Sequence, residues 1–243
     1  MKCKNCSKQI TGDYQYCPHC GQKTDIERLN FQQLLRDLWM AFSNTDRGIL
    51  LLVKQLVYRP GRVARAYISG QRKTYFNPFS FLVIMVAVAL FFILKFEDTA
   101  INYSKIETNE IELLRFSFRH FNVFILLNCP IYGFLIWLFF IGQGTNFVEN
   151  LALSAYLSGQ TMLYYTITII IFIFFPSSMK ILGLILGLFI SFWYVLAVLQ
   201  FYQTRSVWSI IKTVLVILIT QFISQGIIMF TFSIYKKIDV NFL

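Results

Sequence analysis

Four of the five cysteines lie in the first twenty residues, as Cys3-x-x-Cys6 and Cys17-x-x-Cys20. Each CxxC lets two thiolates converge on one ion from a tight turn, and four soft sulfurs suit tetrahedral zinc. A shell filled by four sulfurs has no open position for an activated water. The chemistry it implies is therefore structural Zn2+, not hydrolysis. His19 sits inside the second knuckle and can replace a cysteine as ligand. A redox CxxC is a further alternative, weakened by the second pair and by the lack of a βαβ pattern. Gly21 follows the second pair, where the turn needs a residue tolerant of positive φ. The ten-residue spacer, with Thr11-Gly12-Asp13 near its middle, suits a minimal β-hairpin. So short a segment has almost no core, and the metal must hold it. Structural zinc contributes on the order of 10–16 kcal/mol in finger peptides.

The second stretch with chemical potential is basic. Arg59, Arg62, Arg65, Arg72 and Lys73 stand together with no acid between them, directly before an apolar run. Near an anionic leaflet each is worth about 1 kcal/mol. Nucleic acid is the other partner a basic excess suggests, but these cations lead into a membrane span, which favours anionic lipid on the cytoplasmic face. Elsewhere catalytic patterns are missing. No Ser/His/Asp, Cys/His or paired-carboxylate arrangement is visible, and Gly142-x-Gly144 alone is a weak phosphate signal. No Asp or Glu falls in an expected span, where proton-coupled transporters usually place one. Asn122, Asn128, Gln160, Gln221 and Gln225 do fall in spans. They can line a cavity for a lipid or a small polar solute, or hydrogen-bond between helices at roughly 0.6 kcal/mol each.

The elements that must position these groups are helices. Of 243 residues, 56% are hydrophobic and 14% charged, with a mean hydropathy of +0.58. Soluble domains carry about 25% charged residues. The charge is also uneven: Met1–Pro78 has a net of +8 and Phe79–Leu243 a net of +2. The sequence thus predicts an all-α polytopic membrane protein in three parts. Residues 1–24 form a zinc ribbon, 25–76 an amphipathic basic juxtamembrane region, and 77–243 a transmembrane bundle. Five spans are expected, at about 78–95, 120–141, 151–175, 181–201 and 210–235. The first twenty-five residues lack an apolar core, so no cleavable signal is expected.

In the juxtamembrane region Phe31, Leu34, Leu35, Leu38, Trp39 and Phe42 share one helical face. A second helix, roughly 46–58, is apolar at Ile49, Leu52, Val53, Leu56 and Val57. A third, from Arg62 to Ser69, stops at Gly70. None is long enough to span. They are expected to lie in the membrane interface; packing on each other or on the bundle is the alternative. Asn77-Pro78 opens the first span, as N-cap and N1 residue. Lys95–Arg119 is expected as a polar outer loop, and Pro130 as a helix kink. Gly183-x-x-x-Gly187 is expected to pack within the bundle, with a dimer face as the alternative. With five spans, fifteen Lys/Arg lie on the side of the head and seven opposite. That bias puts the N-terminus in the cytoplasm, and zinc-bound thiolates suit that reducing compartment.

"CPHCGQ" followed by "RPGRVARAYISGQRKTYFNPFSF" resembles an uncharacterised bacterial family of zinc-ribbon integral membrane proteins, a domain of unknown function (DUF3667-like). The matching positions are Pro60, Gly61, Val63, Tyr67, Ile68, Gly70, Arg72, Tyr75, Asn77, Pro78 and Phe79. The resemblance covers about the first third of the chain. It implies a bacterial inner-membrane location and no established activity. Three functions remain open at this point. One is a membrane-anchored interaction or scaffold protein with a partner at the ribbon. Another is a small permease or lipid-handling protein. The third is an enzyme acting on lipid headgroups through the neck residues.

Overall fold

The computed structural model describes residues 1–25, 28–32, 48–104, 108–175 and 179–241. Most of the expected first amphipathic helix, Leu34 to Phe42, lies outside them. Among the described residues there are eight α-helices and no strand: α1 Gly48–Tyr58, α2 Pro60–Ile68, α3 Pro78–Ser104, α4 Thr108–Arg119, α5 Phe121–Phe139, α6 Phe147–Phe174, α7 Met179–Tyr202 and α8 Val207–Asn241.

Among the described residues four helices are long and apolar enough to cross a membrane, at Pro78–Phe96, Phe121–Phe139, Ile181–Tyr202 and Val207–Lys237. Their apolar surface is turned outward. Only 17% of the α7 window and 11% of the α8 window is buried within the protein, and Leu184, Leu188, Phe192, Phe222 and Phe230 are each more than 60% exposed. Water would not tolerate such a surface; lipid would.

The remaining expected span, 151–175, is helical but different in kind. At 28 residues α6 reaches about 42 Å, enough for a hydrocarbon core of about 30 Å. Its middle is Ser158-Gly159-Gln160-Thr161, and every residue from Glu149 to Met162 is buried. It packs most extensively against α3 and α5 and also meets α1, α2 and α7. Its polar groups are sheltered by protein, which is why it does not read as apolar like the other four.

Three expectations change. The segment 95–119, expected as a polar outer loop, is largely helical among the described residues: α3 continues to Ser104 and α4 follows. Arg115 pairs with Asp98 at 3.4 Å, and Lys236 near the end of α8 pairs with Glu112 at 3.5 Å. Phe116 also packs on Phe232 and Tyr235. The end of α8 therefore lies beside α4, at the opposite end of the bundle from the neck. The neck helices are amphipathic as expected, but their apolar faces meet the bundle rather than lipid. Leu52, Leu56, Val63, Ala64 and Tyr67 are buried in the main core. Gly183, finally, has nothing within 4 Å of a Cβ built on it, and neither has Gly187. Both are exposed and neither packs against a neighbouring helix: Gly183 faces outward, and Gly187 borders an open space between helices.

Candidate metal centre and the neck beneath it

The Sγ atoms of Cys3, Cys6, Cys17 and Cys20 all lie within 4.8 Å of one another. Cys3 and Cys20 are 3.6 Å apart, and Cys6 and Cys17 3.8 Å. A tetrahedral ion with metal–sulfur bonds of about 2.3 Å needs sulfurs about 3.8 Å apart. The donor set fits such an ion and is closed by four sulfurs. His19 is not part of the cluster.

The two knuckles are built alike. Cys3 N–H donates to the Lys8 carbonyl and Cys17 N–H to that of Gln22; Ser7 N–H returns to Cys3 O and Gly21 N–H to Cys17 O. Ser7 and Gly21, one place after each second cysteine, both take positive φ, 59° and 67°. Antiparallel bridges join Lys2 to Gln9 and Tyr16 to Lys23. Pairing therefore closes around each CxxC, and the Thr11–Asp13 spacer is not the hairpin expected. The local logic is that a CxxC turn aims backbone N–H groups at its own first sulfur. The Cys6 amide, assisted by that of Asn5, holds the Cys3 thiol down to about 6. At Cys6 the Lys8 amide pulls the thiol down, but burial and the neighbouring sulfurs outweigh it and push it up to about 11. The Cys3 thiol thus loses its proton more readily than that of Cys6, and it is the thiolate form that binds an ion. Ile10, 3% exposed, is the apolar residue packed with the four sulfurs.

The four-cysteine segment rests on the neck. Asn5 Oδ1 accepts from both the Thr74 amide (3.1 Å) and its hydroxyl (2.9 Å). Beyond that segment, Leu29 is buried in the main core. Arg28 donates twice to Glu149, at 2.8 and 3.0 Å, and once to the Gly144 carbonyl at 2.7 Å.

The neck signature is a set of joints. Pro60 opens α2, whose second residue, Gly61, lies on the backbone of α7. A Cβ there would collide with the Ala197 carbonyl oxygen and come 2.5 Å from the Phe201 nitrogen. At the other end Gly70 has φ 115°, its N–H donates to Tyr67 O, and Gln71 N–H donates to Ala66 O. This pair of bonds is a Schellman cap, which is what the Tyr67-Ile68-x-Gly70 spacing encodes. Asn77 Oδ1 accepts from the Phe79 and Ser80 amides and caps α3, while its Nδ2 donates to the Tyr67 hydroxyl at 3.2 Å. The Tyr67 ring meets Tyr156 of α6 edge-on, and Tyr156 donates to Phe76 O at 2.6 Å. Tyr75 donates to Gln55 on α1 at 2.8 Å, and its burial raises the phenol pKa.

The five cations divide. Arg59, Arg62 and Lys73 are exposed, while Arg65 and Arg72 are half-buried. Arg65 donates to the Phe201 carbonyl at 2.6 Å, capping the end of α7 with positive charge. Reciprocally, Trp193 of α7 donates to the Leu56 and Val57 carbonyls in the last turn of α1. Arg65, a candidate for headgroup contact, is therefore engaged in holding a helix end, and Asn77 is the N-cap expected of it.

Sequence reasoning missed the loop at 140–150. There Asn146 and Glu149 form a reciprocal capping box at the start of α6. Asn150, fully buried, accepts from Tyr202 at 2.6 Å and donates to Thr145. Tyr202 also stacks on Phe140, with ring centroids 4.4 Å apart. The Asn146-x-x-Glu149 spacing is the signal that marks this helix start.

The expected cavity residues are only partly brought together. Asn128 and Gln221 line a cavity of about 290 Å³ between α4, α5, α6, α7 and α8. Asn122 does not line it, Gln160 is fully buried apart from it, and Gln225 is exposed on α8.

Residues 46–91 match the family described as "Protein of unknown function (DUF3667)". The DUF3667 match covers α1, α2 and the start of α3, hence the neck side of the joints, while their partners on α6 and α7 lie outside it. The four cysteines lie outside it. No curated protein and no solved structure matches the chain.

Proposed function

We propose that this chain is a membrane-anchored interaction protein of the bacterial cytoplasmic membrane, presenting a structural zinc ribbon to a cytoplasmic partner. The observation that carries the reading is the mounting of the ribbon. A closed four-sulfur site has no room for substrate, and Asn5 is tied to Thr74 on a neck that is itself latched to α6 and α7. Such an arrangement holds a small domain at a fixed place over the membrane, as a docking surface requires. Zinc is favoured over other ions by the all-thiolate donor set and the spacing near 3.8 Å. The Lys/Arg excess on the side of the head supports a cytoplasmic N-terminus. Exposed Arg59, Arg62 and Lys73 are placed to contact anionic headgroups beside the neck.

The test is metal analysis with partner capture. The purified chain is expected to carry one zinc per molecule. Cys3→Ser with Cys6→Ser should remove the zinc and a specific co-purifying protein, while the bundle keeps its melting temperature. A metal-free wild-type chain, or the same co-purifying proteins with and without the cysteines, would refute the reading.

A further inference from the structure

The cavity between the helices is not accounted for by an anchoring role. Helices α4, α5, α6, α7 and α8 all contribute to it, through residues that include Ser117, Asn128, Tyr132, Thr161, Tyr194 and Ser224. At about 290 Å³ it is near the lower end of small-molecule sites, about 300–1,000 Å³, and equals the volume of about ten waters.

Its lining has two properties that together define a ligand. No Asp, Glu, Lys, Arg or His lines it among the described residues, so a charged guest would lose its hydration without gaining a counter-charge. Yet the lining is rich in hydroxyls and amides, and some are unspent. Tyr132 is 4% exposed, lines the cavity, and its hydroxyl has no hydrogen-bond partner among the described residues. Asn128 donates from Nδ2 to Ser224 at 2.9 Å, while its buried Oδ1 has no partner among the described residues. Whichever end of that amide meets Ser224, the other is left over. Tyr194, ring to ring with Tyr132 at 4.8 Å, accepts from Thr161 at 3.3 Å. A buried polar atom left unpaired costs about 1–3 kcal/mol. Two of them, on two residues that line one cavity, mark a place where a partner belongs.

We propose that this cavity binds a neutral, multiply hydroxylated group, either a free sugar or polyol or the headgroup of a glycolipid. Hydroxyls donate and accept at once, which is what a phenol and one end of an amide require of their guest. Charged headgroups are excluded by the absence of a counter-charge. The inference stands apart from the ribbon and would survive the loss of its partner.

The test uses the full chain in phosphatidylglycerol nanodiscs, read by thermal melting. Glucose, glucose 6-phosphate and nanodiscs doped with monoglucosyl diacylglycerol are the probes. Saturable stabilisation by glucose identifies a free sugar as the ligand source; stabilisation only by the glycolipid identifies the headgroup. Tyr132→Phe should weaken that binding about threefold to tenfold and leave the ligand-free melting temperature unchanged or raised. No shift with either neutral probe would make the cavity a water-filled space and overturn the proposal. So would binding of glucose 6-phosphate equal to that of glucose, or a Tyr132→Phe chain that binds like the wild type.

Discussion

Gly61→Ala isolates the joint between neck and bundle. Two effects oppose one another. Replacing a helical glycine by alanine stabilises a helix by about 1 kcal/mol. Against that, the new methyl meets backbone, the Ala197 carbonyl and the Phe201 nitrogen at 2.5 Å, and backbone cannot swing aside. Restoring ordinary contact at about 3.5 Å to the nearer of the two, the carbonyl oxygen, separates α2 from α7 by more than about 1 Å. A gap of that size forfeits about half or more of each van der Waals contact across the joint, where Val63, Ala64 and Tyr67 are buried. It also stretches the Arg65 bond to Phe201, a charge-assisted hydrogen bond worth about 1.5–3 kcal/mol. Overpacking of this kind costs about 1–3 kcal/mol. Net destabilisation of about 1–4 kcal/mol is expected after the helix-propensity gain is subtracted. The assay is reversible unfolding in detergent, with limited proteolysis after Arg59 and Arg62 as the local reporter. Gly183→Ala is the control: the same propensity gain, with no neighbour within 4 Å. Should Gly61→Ala prove as stable as Gly183→Ala and no more open to protease, the close approach would be wrong.

Asn77→Ala removes the cap of α3 and the partner of the Tyr67 hydroxyl; a loss of about 1–2 kcal/mol is expected by chemical denaturation, with Asn77→Asp recovering most of it. Arg28→Ala leaves Glu149, only 8% exposed, without its bidentate partner. Because Arg28 itself is 59% exposed, solvent screening limits the loss to about 1–2 kcal/mol, and hydrogen exchange should rise first at the start of α6. Converting Arg59, Arg62 and Lys73 together to Gln should reduce co-purifying phosphatidylglycerol in native mass spectrometry, by about 1 kcal/mol per charge, without lowering zinc content.

How much of this was legible depended on whether the deciding partner lay nearby in sequence. The cysteine spacing announces its cluster because each knuckle supplies two ligands from one turn. Asn77-Pro78 announces a helix start, and Gly70 a helix stop, for the same local reason. The fate of Leu52, Leu56 and Val63 was not legible: an apolar face reads alike whether lipid or another helix covers it. Gly61 acquires its meaning only from the backbone of Ala197, 136 positions away. The amides divided in the same way. Asn128 and Gln221 share a cavity and Asn122 and Gln225 do not, because the span sequences are apolar nearly all round and carry little record of which side faces inward.

The polar, fully sheltered middle of α6 bears on how the chain is made. A segment with Gln160 and its neighbours at mid-depth gains little from entering lipid alone. Its two largest contact surfaces, α3 and α5, both precede it in the chain. Ribosomal synthesis therefore delivers α6 after its cradle already stands in the bilayer, so it can leave the translocon directly into protein, while α7 and α8 arrive afterwards to face the lipid.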